Sequence, residues 1–487
     1  MSNQDIVRDT TNGVIWSFFS RFAQLIVQFF IITILSRLLC PEDFATIGAL
    51  TVFSLLSEVI IDSGFSQALI RETNVDNIDL SSVFFFNLVI GGFIYIVLFL
   101  CSPLIASFFR IDELNHISKI LFISIVFNSL CIVPRTILTR RMSFKLIAIT
   151  TICALILSSI VGILAAYLGL GVYSLVLQIL VNSFFCMIFV YIAAKWKPAL
   201  IFNWGRIQRL FGFSFNLLIT GLIGQLFNNL YTILIGRFYP QKTLGYYTQA
   251  KKLEEIPSLS ITTIIQNVSY SSMSLVKDDN PLLKKAYMRI LFMNIYLVFP
   301  IMSLCYVSCD SFIPLLLGDK WQPVIPYFKI LCIYGAIFPL FSVNVNILKV
   351  KGLGRKVLIQ EVVRRSLMIL GILITIRNGI ECMLYGWVIS TMISIMYSFF
   401  ECGKPINYSL WMQIRDIIPF VILAVGSAFV TYFVNCFLFS NILTFVIQVC
   451  LYCILYFGFS FLLKIQPLED IINIFKSFSI KALIHSK

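Results

Sequence analysis

Charge is scarce: Lys, Arg, Asp and Glu make up 12% of the 487 residues, about half the share of an ordinary water-soluble domain. With 59% hydrophobic residues and a mean hydropathy of +0.93, a globule dissolved in water is excluded. Histidine is nearly missing, only His116 and His485 being present, which argues against a His-based metal centre or a shared His general base. The 13 cysteines show no paired spacing, and many, such as Cys131, Cys186 and Cys332, fall inside apolar runs. They act as small hydrophobes and imply neither a disulfide framework nor a zinc site. No G-x-x-x-x-G-K-[ST] phosphate loop is present, so the chain cannot power itself with ATP. H-E-x-x-H and G-x-S-x-G are absent too, and the N-x-[ST] triplets at Asn267 and Asn407 are chance matches in or beside apolar runs. The segment up to Asn12 carries Asp5, Arg8 and Asp9 and lacks a basic n-region and cleavage site, so the first apolar run, near 13–36, is expected to be retained.

What the chain does have is apolar runs of membrane-spanning length, roughly 20 residues each. They are continuous rather than alternating, which implies helices and excludes a barrel. The expected fold class is therefore an all-α integral membrane protein with about 14 spans, centred near residues 25, 53, 91, 126, 156, 183, 223, 264, 298, 336, 367, 391, 427 and 453. The runs near 264, rich in Ser, Thr and Asn, and near 367, with three charges, decide the topology.

Basic residues supply the check. Alternate loops collect them: Arg135, Arg140, Arg141 and Lys145, then Lys195, Lys197, Arg206 and Arg209, then Lys277, Lys284, Lys285 and Arg289, then Lys349, Lys351, Arg355 and Lys356. The loops between hold fewer, among them Arg37, Arg110, Arg237, Lys242, Lys320 and Arg377. This pattern places both termini in the cytoplasm. The formal charge of +14 is then a topology signal and an attraction to anionic inner-leaflet lipid, and nucleic acid is not expected as a partner.

Two stretches share one layout about two hundred residues apart: LSRLLCPEDFATIGAL from Leu35 and LIGRFYPQKTLGYYTQA from Leu234. Arg37 answers to Arg237 and Pro41 to Pro240. An internal duplication in an apolar chain implies two similar helical lobes, a common plan for solute carriers. The expected division is an N-terminal lobe over 1–207, a C-terminal lobe over 208–403, and an accessory pair of spans with a cytoplasmic tail over 404–487. KWKPALIFNWGRIQRLFG, 195–212, is read as an amphipathic surface helix joining the lobes, either a plain anchor or a hinge.

Ionisable and amide side chains inside apolar runs are the candidates for function. On the first helix Arg21, Gln24 and Gln28 share roughly one face and offer a guanidinium and two amides to one cavity, suited to a phosphate or a hydroxyl-rich sugar. Snorkelling to the inner headgroups is the alternative use of Arg21. The matching helix of the second half offers Asn216, Gln225, Asn228 and Asn229, with Gly221 where the first has Arg21; cavity lining and interhelical packing both fit. Lys251 and Lys252 are candidates for binding a diphosphate, although Lys251 and Glu255 are spaced to pair. In Glu361, Arg364 and Arg365 a local ion pair accounts for two, leaving one Arg to face the cavity. Glu58 and Glu361 are the candidate carboxylates for proton or sodium coupling; Asp62 reads better as a hydrated helix end. No cofactor or metal is expected.

The runs GVIWSFFSRFAQ from Gly13, LSRLLCPEDF from Leu35, DSGFSQALI from Asp62, GLGVYSLVLQ from Gly169, LGYYTQAKKLEEIP from Leu244 and LLGDKWQPVIP from Leu316 together resemble the polysaccharide transporter family, the Wzx-type flippases for lipid-linked oligosaccharides, close to the colanic-acid exporter branch. The resemblance spans about residues 10–400. It implies membership of the superfamily that includes the MATE exporters and the lipid II flippase: two six-helix lobes in a V around a cavity, here with two further helices. It further implies alternating access in the bacterial cytoplasmic membrane, with a polyprenyl-diphosphate-linked oligosaccharide as cargo, no enzymatic step, and a polymerase and export machinery as partners. Cationic cavity residues are expected to hold the diphosphate, Arg21 matching best. The Gly usual after Pro-Glu-Asp-Phe is here Ala45. A MATE-like drug or cation antiporter would want an acidic cavity, whereas the intramembrane inventory leans basic. A polymerase or ligase would want a larger outer loop.

Overall fold

The computed structural model describes residues 3–436 and 440–470; the side chains of α1 before Phe22, those of Trp16 and Ser20 excepted, and of some α12 residues lie outside the description. Described residues form helices and no strands. These are α1 (Asn3–Leu38), α2 (Pro41–Asp62), α3 (Phe65–Arg71), α4 (Asn77–Leu100), α5 (Ser102–Phe109), α6 (Leu114–Leu121), α7 (Ile123–Arg140), α8 (Phe144–Tyr167) and α9 (Val172–Ala194). They continue as α10 (Trp204–Asn228), α11 (Leu230–Phe238), α12 (Gln241–Ser274), α13 (Asn280–Leu317), α14 (Ile325–Val350), α15 (Gly354–Thr375), α16 (Ile380–Gly403), α17 (Leu410–Tyr432) and α18 (Asn441–Leu462).

Eleven of the described helical stretches are long and apolar enough to cross a membrane, and the chain is a multi-pass membrane protein. The three remaining expected spans coincide with α1, α12 and α15, helices whose polar content or extent of description keeps them outside that set. Many hydroxyls inside the spans are satisfied locally: Thr46, Thr51 and Ser57 of α2 each donate to the carbonyl four residues back, at 3.0, 2.7 and 2.7 Å. Such back-bonding lets a polar side chain sit in hydrocarbon without an orphaned donor.

The chain forms two compact units, Met1–Thr248 and Gln249–Lys487. In the first, α9 packs on α7 and α8, α1 on α8, α4 on α7, and α10 on α2, α3 and α4. Helices α10 and α11, assigned by the repeat to the second lobe, therefore pack within the first unit. In the second, α14 packs on α13 and α16, α15 on α16, and both α17 and α18 on α13. The accessory pair is fixed by Tyr456, whose hydroxyl donates to the Tyr296 carbonyl at 2.9 Å, and by Tyr452, 2.6 Å from Ser303 Oγ.

Within the first unit the two repeated motifs meet. Pro41 opens α2 at its first turn, where a missing N–H costs nothing, and the Cys40 N–H donates to Asp43 Oδ2 at 2.8 Å. Against this turn lies the start of α12: Lys242 pairs with Glu42 at 3.3 Å and Gln241 Nε2 reaches Thr46 Oγ1 at 3.2 Å. A Cβ on Gly245 would land on the Pro41 carbonyl. The duplicated Pro-led helix starts are thus each other's packing surface.

The segment expected to be a separate amphipathic helix is not one. Residues 196–203 carry no helix, and α10 starts at Trp204 and runs directly into its span. Pro198 removes a backbone donor, and Asn203 caps α10 by accepting the Arg206 N–H at 3.3 Å. The segment docks instead on the start of α4, with Trp196 Nε1 donating to Asn77 Oδ1 (2.8 Å) and the N–H groups of Ala199 and Asn203 donating to Ser81 and Ser82 Oγ (3.0 Å each). Asp79, fully buried, receives both Arg206 and Arg209 at 3.3 Å, and Asp76 pairs with Arg206 at 3.1 Å. Accepting the Asp79 N–H is the main cause that holds the exposed Asp76 carboxyl below its ordinary value, Arg206 adding to it. A depressed carboxylate contributes above the ordinary Asp value and loses that contribution on acidification.

Candidate functional site

A cavity of about 900 Å³ opens among α2, α3, α7, α8, α9 and α10, wholly within the first unit. Its size lies within the range of small-molecule sites. Hydrogen-bonding side chains line much of it: Glu58, Asp62, Ser66 and Gln67 from α2 and α3, Asn128, Arg135, Thr136 and Thr139 from α7, Thr151 from α8, Asn182 and Ser183 from α9, and Thr220 and Gln225 from α10. Polar groups at this density inside apolar helices mark a path or a site, because each costs free energy wherever lipid would be its only neighbour.

One wall is a break between helices. Asp62 ends α2, Ser63 and Gly64 take left-handed conformations, and α3 begins at Phe65. The Asp62 carboxylate closes the break by accepting the Ser66 N–H at 3.1 Å and its hydroxyl at 2.5 Å. It is thus a cap rather than the hydrated helix end that the sequence suggests. Helix α10 presses on the same break: a Cβ on Gly64, at φ +74°, would stand 2.8 Å from Leu217 Cβ, and one on Gly221 would stand 2.9 Å from Val59 Cγ1. Gly64→Ala should therefore destabilise by about 1–3 kcal/mol, through backbone strain and overpacking together. An unchanged thermal midpoint in detergent would show that α10 yields.

Among the described candidate residues, Glu58 and Gln225 line this cavity, and Asn128 Nδ2 donates to Glu58 Oε1 at 2.9 Å. Gln24 and Gln28 of α1 do not line it; Gln24 Nε2 donates to Ser20 Oγ at 3.0 Å and Gln28 is exposed. Asn228 ends α10, where the span breaks before α11, and is likewise exposed. Arg21 lies on α1, and its side chain is outside the described residues.

Lys251, Lys252, Glu361, Arg364 and Arg365 belong to the second unit. Lys251 pairs with Glu255 at 3.8 Å, the i,i+4 arrangement foreseen. The trio on α15 differs from expectation: Glu361 Oε2 takes both Arg364 (2.8 Å) and Arg365 (3.5 Å), since i+3 and i+4 lie on the same side of a helix. No Arg is left over, although the trio keeps a net positive charge. Helix α14 connects these groups, because Glu254 packs on Gly335 and Arg364 lies 5.2 Å from the Phe341 ring centre.

Arg135, Asn128 and Asn182 are among the cavity residues that the sequence does not single out. Arg135 was placed in a cytoplasmic loop, yet α7 runs through Pro134 to Arg140, so Arg135 stands inside the helix. The apolar Ile137 and Leu138 that follow it were the signal, since a loop would not resume the pattern. Asn128 and Asn182, single amides in apolar runs, were legible as polar intruders but not as neighbours. Among the described residues that line the cavity, two carboxylates, Glu58 and Asp62, accompany one guanidinium, Arg135.

Bundled spans around a polar intramembrane cavity define the class as a multi-pass helical membrane protein built for passage or binding within the bilayer. The chain resembles two solved structures. One is the lipid II flippase MurJ in an inward closed conformation (TM-score 0.74, 18% identity, 93% of this chain and 99% of that one), the other an inward-facing multidrug resistance MATE family transporter of the MOP superfamily (TM-score 0.61, 16% identity, 80% and 98%). At such identities the likeness shows the fold. In sequence it is 25% identical over 350 residues to the teichuronic acid biosynthesis protein TuaB of Bacillus subtilis (strain 168), covering 71% of this chain and 72% of that protein. It is 23% identical over 433 residues to the succinoglycan biosynthesis transport protein ExoT of Rhizobium meliloti (strain 1021), covering 87% and 86%. The model of the polysaccharide biosynthesis protein family matches residues 34–326, and the chain belongs to that family.

Proposed function

We propose that this protein is a flippase, which carries an oligosaccharide linked to a polyprenyl diphosphate from the inner to the outer leaflet of a bacterial cytoplasmic membrane. The observation that carries the reading is the cavity among the spans of a chain of this family, its described lining made of amides, hydroxyls, two carboxylates and one guanidinium. A hydroxylated, phosphorylated head cannot cross ~30 Å of hydrocarbon unaided. Transport in succinoglycan biosynthesis, named for ExoT, is the same class of task. The cargo is an O-antigen, capsule or exopolysaccharide unit; the protein moves it by alternating access, makes and breaks no bond in it, and hands it to a polymerase and export machinery. Both termini lie in the cytoplasm, by the alternation of basic loops, and the Arg140–Arg141 end of α7 is then the cytoplasmic end. Glu58, Glu361 or both couple the cycle to protons or sodium.

The test is export of a fluorescent lipid-linked oligosaccharide from proteoliposomes containing the full chain. Arg21→Ala should abolish export while leaving membrane insertion intact, and Arg21→Lys should restore part, because charge returns without the planar fork. Full export by Arg21→Ala would remove Arg21 from the site. A cation antiporter is the second reading, favoured by the two carboxylates against one guanidinium among the described residues of the cavity. Efflux of a lipophilic cation, with no movement of lipid-linked sugar, would establish it instead.

A further inference from the structure

We propose that Arg135 is the anion anchor of the first unit's cavity, binding phosphate oxygens of the cargo through its guanidinium fork, and that Glu58 is the carboxylate which competes for it. This rests on the flippase reading, which supplies a phosphorylated cargo.

The neighbouring cations of α7 are engaged. Arg140 donates to the carbonyls of Leu69 and Glu72 at the end of α3, and Arg141 donates to the Ala194 carbonyl at the end of α9, at 2.9 Å. These are helix-end caps, using positive charge where the helix dipole favours it. Arg135 stands five residues before Arg140, about 8 Å along the helix. Its side chain is exposed and lines the cavity, and it is the only cation that does so among the described residues. No hydrogen bond or ion pair reaches its guanidinium from any described residue.

The carboxylates that could quench it are held elsewhere. Asp62 is engaged by Ser66, and Glu58 by Asn128. Glu58 and Arg135 line the same cavity without closing a salt bridge. An intramembrane guanidinium needs compensating charge. Here the compensation acts through space, which leaves the donor fork open to a ligand. A phosphate suits it, since planar bidentate donation to phosphate oxygens is the strongest use of Arg. A neutral donor lines the same space in Asn182 on α9, whereas the hydroxyls of Thr139 and Thr151 already donate to the carbonyls of Arg135 and Ile147. With the phosphate bound, Glu58 and Asp62 face an added anion. Removing the Glu58 charge should therefore tighten the complex.

The experiment uses the full chain in lipid nanodiscs, with geranylgeranyl diphosphate as the probe and uncharged geranylgeraniol as its control. Arg135→Gln should weaken the diphosphate by about tenfold or more, the equivalent of losing a charge-assisted hydrogen-bonded pair, and leave geranylgeraniol unchanged. Arg135→Lys should fall between, and Glu58→Gln should tighten the diphosphate several-fold. Wild-type affinity in Arg135→Gln, equal loss of both probes, or weakening by Glu58→Gln would overturn the assignment. If Arg135→Gln does not fold, as judged by its thermal midpoint, the Arg135→Lys and Glu58→Gln arms decide. A wild-type protein that fails to prefer the diphosphate over the alcohol would instead overturn the flippase reading itself.

Discussion

Gly245→Val is expected to abolish accumulation of the folded protein. A side chain at this position would be driven into the Pro41 carbonyl, with the carbonyl carbon only 2.7 Å from the new Cβ. Both atoms are backbone, in the first turn of a helix fixed by Pro41 and the Cys40–Asp43 cap, so no rotamer change relieves the clash. Overpacking against a movable side chain costs about 1–3 kcal/mol, and against fixed backbone the cost should lie at or above the top of that range. Gly224→Ala is the control. Nothing lies within 4 Å of its Cβ, and the exchange should be neutral or favour the helix by up to about 1 kcal/mol. Comparable abundance and thermal midpoints for the two variants would mean that the Pro41–Gly245 contact is not a tight junction.

Asp79→Ala should release the 196–203 segment from α4. The carboxylate is fully buried and serves two guanidinium groups, so its loss strands Arg209 and leaves Arg206 with Asp76 alone. Breaking a fully buried ion pair costs about 3–5 kcal/mol. Arg206 and Arg209 are 34% and 45% exposed, so water recovers part of that, and about 2 kcal/mol is expected. The readout is cleavage by trypsin after Lys195 in inside-out vesicles, which should speed up in Asp79→Ala and far less in Asp76→Ala. Unchanged protection of Lys195 would show that the Trp196 and backbone contacts to α4 hold the segment alone.

Fold class was legible because lipid imposes it: spans must be helical and of one length, so composition and run length sufficed for α2, α4, α8 and their like. The repeat was legible as Pro41 and Pro240, but their mutual packing was not, since contact between segments two hundred residues apart leaves no local periodicity. The sequence singles out polar groups inside apolar runs as candidates, and of these Glu58 and Gln225 meet in the first unit's cavity. Glu58 was found because a carboxylate in an apolar run stands out. Arg135 was missed because a basic residue near a helix end reads as a loop charge until the end of α7 is known. The linker was misread because its amphipathic composition matches both a surface helix and an extended segment, and only docking on Asp79, Ser81 and Ser82 chooses between them.

The amino-acid order alone therefore determined that this chain dissolves in a bilayer as helices, carries two stretches of one layout and belongs with saccharide-related membrane proteins, because hydropathy, charge bias and motif are properties of local segments. Tertiary structure alone decided which polar groups share a cavity and which are consumed as caps or pairs. A hydrogen bond or an ion pair depends on distances between helices, and those distances exist only once the helices have packed.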